Sequence, residues 1–68
     1  MKALTGREMA RILERNGWTL VRIRSSHYRY EKAGSAPITV PVHAGQTLKI
    51  GLQRALMKAA NLTEDDLS

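Results

Sequence analysis

The chain has 68 residues, no cysteine and a formal net charge of +5, and residues 1–63 alone carry 11 basic and 3 acidic side chains, a net charge of +8. Only roughly 60% of the unfolded surface can be buried at this length, which predicts one domain, residues 1–68. The lack of cysteine excludes disulfides and thiolate metal sites, and the sequence contains neither a signal peptide nor a run approaching the ~20 apolar residues of a membrane span. We therefore expect a soluble cytoplasmic protein whose charge either attracts polyanions such as nucleic acids or serves solubility alone.

The first predicted element is a helix over residues 5–16. Apolar residues recur there at helical spacing, with most of the charged residues on the other side. Thr5 and Glu8 have the spacing of a capping box, and Leu4 can pack on Met9 as a hydrophobic staple. Gly17 suits the left-handed position that ends a helix.

Three strands are predicted next, because the pattern changes to the alternation typical of β-structure. They cover residues 18–24, 27–32 and 38–42, and the first two are separated by Ser25 and Ser26. Pro41 has no backbone N–H, which favours an edge position for the third strand.

The helical period returns at Leu48. One stripe collects Leu48, Leu52, Leu56 and Ala59. The residues left for solvent or a ligand are Lys49, Gln53, Arg54 and Lys58. Asn61 is a plausible C-cap, and Thr63 begins a short acidic turn. The order of elements predicts an α+β fold, with a three-stranded antiparallel sheet covered on one face by both helices.

If Ser25 and Ser26 form a two-residue turn, they set the register of the first two strands; a longer loop is the alternative, because Ser-Ser is not a good type I′ pair. The predicted pairs are Arg24 with His27, Arg22 with Arg29, and Leu20 with Glu31. One face of the sheet then collects the apolar and aromatic residues Val21, Ile23, Tyr28 and Tyr30, which suit packing beneath the helices. The opposite face, here called the hairpin face, collects Arg22, Arg24, His27 and Arg29. A slip of one residue would mix charged and apolar side chains on both faces.

The hairpin face has the chemistry needed to cut RNA. Histidine is well matched to proton transfer near neutral pH, and arginine binds phosphate through paired hydrogen bonds. RNA supplies its own nucleophile, the 2′-hydroxyl, so cleavage requires an acid or base and cations around the phosphate. His27 is therefore the candidate catalytic residue, and the three arginines are candidate RNA-binding residues. A histidine that only caps the hairpin, beside a solvated arginine face, fits the same pattern.

Other residues have both a functional and a structural interpretation. Lys49, Arg54 and Lys58 either extend the phosphate-binding surface or form a solvated helix face, and Lys49 and Arg54 are the candidate RNA-binding residues among them. His43 is a second proton carrier, a phosphate contact or a hydrogen-bonding loop residue. We expect Trp18 to pack in or beside the core. No residues have the spacing of a metal site, so neither a metal nor a cofactor is expected.

Short segments distributed along nearly the whole chain resemble the HicA family of toxins. The similar segments are Asn16-Gly17-Trp18, Ser25-Ser26-His27, Val40-Pro41-Val42-His43, Leu48-Lys49-Ile50-Gly51 and Ala60-Asn61-Leu62-Thr63. Ser25 stands where the family usually has glycine, so a positive φ there would be strained. Ile50 stands where proline is common, which leaves the start of the second helix less sharply defined.

The resemblance implies a double-stranded-RNA-binding-like fold, helix–three strands–helix. It also implies an mRNA interferase with a catalytic hairpin histidine, His27, held inactive by a HicB-type antitoxin. The interpretation that we favour is thus a metal-independent endoribonuclease toxin that is a monomer when free and forms a heteromeric complex with its antitoxin. A non-catalytic RNA-binding module and a pure interaction protein that docks an acidic partner are the alternatives.

Overall fold

The computed structural model describes residues 1–67. The elements in chain order are helix α1 (Gly6–Arg15), strands β1 (Thr19–Arg24), β2 (His27–Glu31) and β3 (Ile38–Pro41), helix α2 (Ile50–Ala59), and a short 3₁₀ helix (Glu64–Leu67). The three strands form an antiparallel sheet in the order β1-β2-β3. This confirms the predicted α+β fold with its helix–three strands–helix order. Neither ten-residue helix within residues 1–67 has the length and apolarity required to cross a membrane.

Helix α1 begins at the predicted capping box. The Glu8 backbone N–H donates to Thr5 Oγ1 at 3.1 Å, and the Thr5 backbone N–H donates to Glu8 Oε1 at 2.8 Å. The second of these hydrogen bonds lowers the pKa of Glu8, because it favours the ionised carboxylate. The helix is capped at its other end by Asn16 and followed by Gly17, whose φ of 89° is the predicted left-handed conformation.

Strand β3 forms an edge of the sheet, as the proline suggested. Just beyond β3, the Val42 N–H donates to the carbonyl oxygen of Ser26 at 2.7 Å. Successive backbone nitrogens along a strand point to opposite sides, so the nitrogen of Pro41 faces the free edge. The missing N–H of Pro41 therefore removes no hydrogen bond between β2 and β3.

Strand β1 differs from the prediction by one residue in register. Leu20 pairs with Tyr30 rather than Glu31, while Arg22 pairs with Arg29, so Val21 is the extra residue of a β-bulge. Val21 and Ile23 are 47% and 51% exposed, and their predicted burial was wrong. At the bulge, Val21 interrupts the alternation of side chains between the two faces of the sheet. Ile23 shares a sheet face with Tyr28 but lies on the outer strand, where little of the core covers it.

One face of the sheet and both helices form the core. Its central side chains include Tyr30, Ile38 and Val40 from the sheet, Met9 and Leu13 from α1, and Leu56 and Met57 from α2. Trp18 is buried here, as expected, and Tyr28 and Leu20 are partly buried against it. Both helices thus lie on one face, and the hairpin face is left uncovered.

Gln53 is fully buried, although the sequence placed it at the solvent. The Leu4 N–H donates to Gln53 Oε1 at 2.9 Å, and Gln53 Nε2 donates to the carbonyl oxygen of Lys2 at 2.6 Å. The side chain thereby satisfies backbone groups of the segment that precedes α1. A buried amide with both of its groups paired is compatible with a core position.

Gly6 marks the closest approach of α1 to β3. A Cβ atom at this position would overlap the carbonyl oxygen of Pro41 and lie 2.9 Å from the Cα of Val42. Only glycine allows the two backbones to approach so closely. The first turn of α1 therefore fixes the end of the strand that pairs with β2.

The second helix begins two residues later than expected. Lys49 is its N-cap and makes no side-chain capping bond, in keeping with the weak start signal at Ile50. Asn61, with a φ of 56°, lies one residue beyond the C-cap Ala60. Thr63 directly precedes the predicted acidic turn, and its N–H donates to Asp66 Oδ2 at 2.7 Å.

Candidate functional site

The β1–β2 turn has the predicted length but a strained first residue. Ser25 has a φ of 57°, whereas Ser26 does not have a positive φ. A positive φ at only the first central residue is the sign pattern of a type II′ turn, which strongly prefers glycine there. The turn nevertheless aligns Arg24 with His27, because its two residues occupy the whole connection.

The hairpin face forms as predicted. Arg24 lies opposite His27 and Arg22 lies opposite Arg29, and side chains in such pairs have Cβ atoms roughly 5 Å apart. His27 and Arg29 are two residues apart on β2 and therefore point to the same side. Arg22, Arg24 and His27 are exposed, so solvent and a ligand can reach a histidine that shares its sheet face with three cations.

Acidic neighbours neutralise only part of this face. Arg29 Nε lies 3.3 Å from Glu31 Oε2, in an ion pair that is itself open to solvent. Within residues 1–67, Arg22, Arg24 and His27 form no hydrogen bond or ion pair through their side chains. Their donors are therefore available to an incoming anion such as a phosphate group.

The two helix cations assigned to this surface on the basis of their charge, Lys49 and Arg54, have different positions in the structure. Lys49 is exposed at the start of α2 and lines a groove together with Pro41, the residue that pairs with His27. Arg54 is also exposed, but no ion pair or hydrogen bond among residues 1–67 connects it to the hairpin. Lys49 thus lines the same groove as the end of β3, which pairs with the hairpin.

A groove between the end of β3 and the start of α2 was not anticipated. This β3–α2 groove has a volume of about 300 Å³, and its walls include Pro41, His43, Gln46, Leu48, Lys49 and Leu52. All of these residues lie within positions 41–52, where a strand end, a loop and a helix start follow one another, so no single periodic pattern covers the groove. The one available signal was the polar stretch between Val42 and Leu48, where His43 and Gln46 are exposed.

A family comparison identifies the kind of protein that carries this site. The family model for the HicA toxin of bacterial toxin–antitoxin systems matches residues 6–62, most of the chain. The chain belongs to the HicA toxin family. The matched region of this HicA toxin includes the hairpin face and the β3–α2 groove, and membership implies pairing with an antitoxin. No match was found among the curated proteins.

The tyrosines of this HicA toxin have structural positions. Tyr30 is fully buried, and its hydroxyl donates to Glu14 Oε2 at 2.7 Å. Burial, followed by the hydrogen bond to the Glu14 carboxylate, raises the pKa of Tyr30, because both disfavour the phenolate. Tyr30 is thus a neutral core residue that links the sheet to α1 on the side opposite His27.

The remaining titratable groups of the HicA toxin are dispersed. No three histidine, aspartate or glutamate side chains of residues 1–67 come close enough together to hold a metal ion. The acidic residues of the 3₁₀ helix interact locally, as in the hydrogen bond between Thr63 Oγ1 and Asp66 Oδ2 at 3.1 Å. His27 and its arginine neighbours are therefore the cluster with the clearest chemical capability.

Proposed function

We propose that this HicA-family toxin is a metal-independent endoribonuclease that cleaves mRNA with His27. Arg22, Arg24 and Arg29 bind the phosphate around the scissile bond, Lys49 and Arg54 contact more distant phosphates, and a HicB-type antitoxin neutralises the toxin. The observation that carries this proposal is an exposed histidine that pairs with Arg24 and shares one uncovered sheet face with Arg22 and Arg29.

The chemistry requires two proton transfers and stabilisation of negative charge. The 2′-hydroxyl loses its proton to a base and attacks the adjacent phosphorus, forming a pentavalent phosphorane. The 5′-oxygen of the next nucleotide then leaves with a proton from an acid, which produces a 2′,3′-cyclic phosphate and a free 5′-hydroxyl. His27 carries one of these protons, a role typically worth about 10²–10⁴-fold in rate.

The arginines support the same step electrostatically. Negative charge accumulates on the equatorial oxygens of the phosphorane, and donors already in place around them lower the barrier. Arg22 and Arg24 have no intramolecular acidic partner within residues 1–67, so phosphate binding breaks no existing ion pair at these two positions. Arg29 must instead exchange Glu31 for the phosphate.

The antitoxin is proposed to act by covering the hairpin face. A complementary surface would be acidic, because the hairpin face presents three arginines and a histidine. Binding there would exclude RNA and bury His27. The free toxin is proposed to be a monomer. It is proposed to act in the cytoplasm, where mRNA and the antitoxin are both available.

The deciding experiment compares cleavage of a single-stranded RNA by wild type and His27→Ala in the presence of EDTA. Wild type should cleave, and His27→Ala should be slower by at least about 100-fold while keeping its fold, since His27 is exposed. Intact RNA that remains bound to wild type would favour the non-catalytic RNA-binding module instead.

A matched pair of arginine variants tests the phosphate contacts. Arg22→Ala should weaken RNA binding and reduce the dependence of affinity on salt, because one phosphate contact is lost. Arg11→Ala removes an arginine of α1 that is also exposed, and that lines a separate groove with Lys2 and Leu67. Equal effects of the two substitutions would argue against a specific role for the hairpin face.

A further inference from the structure

The β3–α2 groove begins beside the proposed catalytic residue. Pro41, one of its walls, lies directly opposite His27 in the β2–β3 ladder. Because the adjacent Val42 N–H bonds to Ser26, His27 and Pro41 form a non-hydrogen-bonded pair, whose Cα atoms are only about 4.5 Å apart. A nucleotide next to a phosphate bound at His27 would therefore lie beside the groove.

Backbone contacts hold the walls of the groove in place. The Gln46 N–H donates to the carbonyl oxygen of His43 at 3.1 Å, and Thr47 forms an isolated bridge with Thr5. The Leu48 N–H then donates to the carbonyl oxygen of Leu4 at 2.7 Å. The loop backbone is thus fixed at both ends, while the side chains of His43 and Gln46 remain exposed.

The composition of the groove suits a nucleobase better than a phosphate alone. Pro41, Leu48 and Leu52 give it apolar surface, and Leu52 is 38% exposed there. His43, Gln46 and Lys49 add polar groups, and a histidine ring can stack on an unpaired base. The volume of about 300 Å³ is at the lower end of the range for small-molecule sites, as expected for one base with its ribose.

We infer that the β3–α2 groove binds the base of the nucleotide adjacent to the scissile phosphate, and that Gln46 makes adenine the preferred base. The inference rests on the proposed ribonuclease function and adds its substrate preference. A glutamine amide offers one acceptor and one donor, which match the N6 donor and N7 acceptor of adenine; guanine presents two acceptors on the same edge. His43 stacks on the base, and Lys49 neutralises its phosphate.

The kinetic test uses short RNAs with one cleavable ribonucleotide linkage, flanked by adenine, guanine, cytosine, uracil or an abasic site. Wild type should cleave the adenine substrate about tenfold faster than the guanine substrate. Gln46→Ala should reduce that ratio to below about twofold, and His43→Ala should slow cleavage beside every base but leave the abasic substrate unaffected. The same ratios in wild type and Gln46→Ala would overturn the assignment.

A binding test is independent of catalysis. In the His27→Ala protein, adenosine 5′-monophosphate should shift the NMR signals of the Gln46 side-chain amide and the His43 ring, whereas ribose 5-phosphate, which keeps only the phosphate contact with Lys49, should shift these signals much less. Equal shifts with both compounds would show phosphate binding only and would contradict the base site. If wild type cleaves no RNA, the proposed function fails, and this titration alone decides whether the groove binds a base.

Discussion

Ser25 is the residue at which the backbone of the hairpin is most clearly strained. Its φ of 57° is unfavourable for a residue with a Cβ, and such strain typically costs about 1–3 kcal/mol. The strain persists because pairing on both sides of the turn determines the path of the chain. Ser26, its neighbour in the turn, carries no such positive φ.

Ser25→Gly should therefore stabilise the protein by about 1 kcal/mol, after allowance for the greater freedom of glycine in the unfolded chain. Ser26→Gly is the matched control and should be neutral or destabilising by up to about 1 kcal/mol. Urea unfolding of the two variants measures both effects. A Ser25→Gly protein less stable than wild type would show that the turn is not strained as described.

Glu31 reduces the positive charge that the hairpin face offers to an anion, because it forms an ion pair with Arg29. Glu31→Gln should raise affinity for RNA by about two- to threefold at low salt, since exposed ion pairs of this kind are worth little. Binding is measured in the His27→Ala background, so that the RNA stays intact. Asp65→Asn makes the same charge change on the 3₁₀ helix, and an equal gain there would indicate a general effect of net charge.

At the scale of the elements, α1 is fixed against β3 through Gly6. Gly6→Ala should destabilise the protein by about 2 kcal/mol or more, because a Cβ would overlap backbone rather than a movable side chain. Gly51→Ala is the opposite case, since a Cβ in α2 would meet nothing within 4 Å, and it should stabilise by about 1 kcal/mol. Thermal unfolding measures the stability of both variants. Changes in stability of the same sign would contradict the packing described.

Helix α2 is joined to the N-terminal segment by Gln53. Gln53→Met keeps a similar volume but leaves the Leu4 N–H and the Lys2 carbonyl without their partner, so we expect a loss of about 2 kcal/mol. Arg54→Met changes the exposed neighbouring residue and should alter stability by less than about 0.5 kcal/mol. Chemical denaturation measures both variants. Comparable losses of stability in Gln53→Met and Arg54→Met would mean that the hydrogen bonds of the buried amide do not stabilise the fold.

At the scale of the whole molecule, local patterns were sufficient to predict the elements and the hairpin pairs nearest the turn. The capping box, Gly17 and the strand alternation depend on neighbouring residues alone. The bulge at Val21 and the burial of Gln53 depend on what another segment places opposite them, which periodicity does not encode. The β3–α2 groove could not be predicted because its walls run from a strand end through a loop to a helix start, a stretch with no single periodicity.

The candidate site was predictable to the extent that it lies on one hairpin. Arg24 with His27 and Arg22 with Arg29 followed from turn length and alternation alone. Lys49 and Arg54 were assigned to the same surface on the basis of charge alone. Of these two residues, Lys49 lines the groove that Pro41 also lines, and Arg54 does not. Cations on separate elements have no sequence relation that fixes their distance.

We propose that His27 either takes the proton of the RNA's own 2′-hydroxyl or gives a proton to the 5′-oxygen that leaves. The most direct measurement is the cleavage, by wild type in EDTA, of an RNA with a mapped cleavage site and of the same RNA carrying a single 2′-deoxy substitution at that site. We predict that the substitution abolishes cleavage there, and that the unmodified RNA yields a 2′,3′-cyclic phosphate that His27→Ala does not produce. Cleavage of the 2′-deoxy site at the unmodified rate, or equal product formation by His27→Ala, would contradict the account.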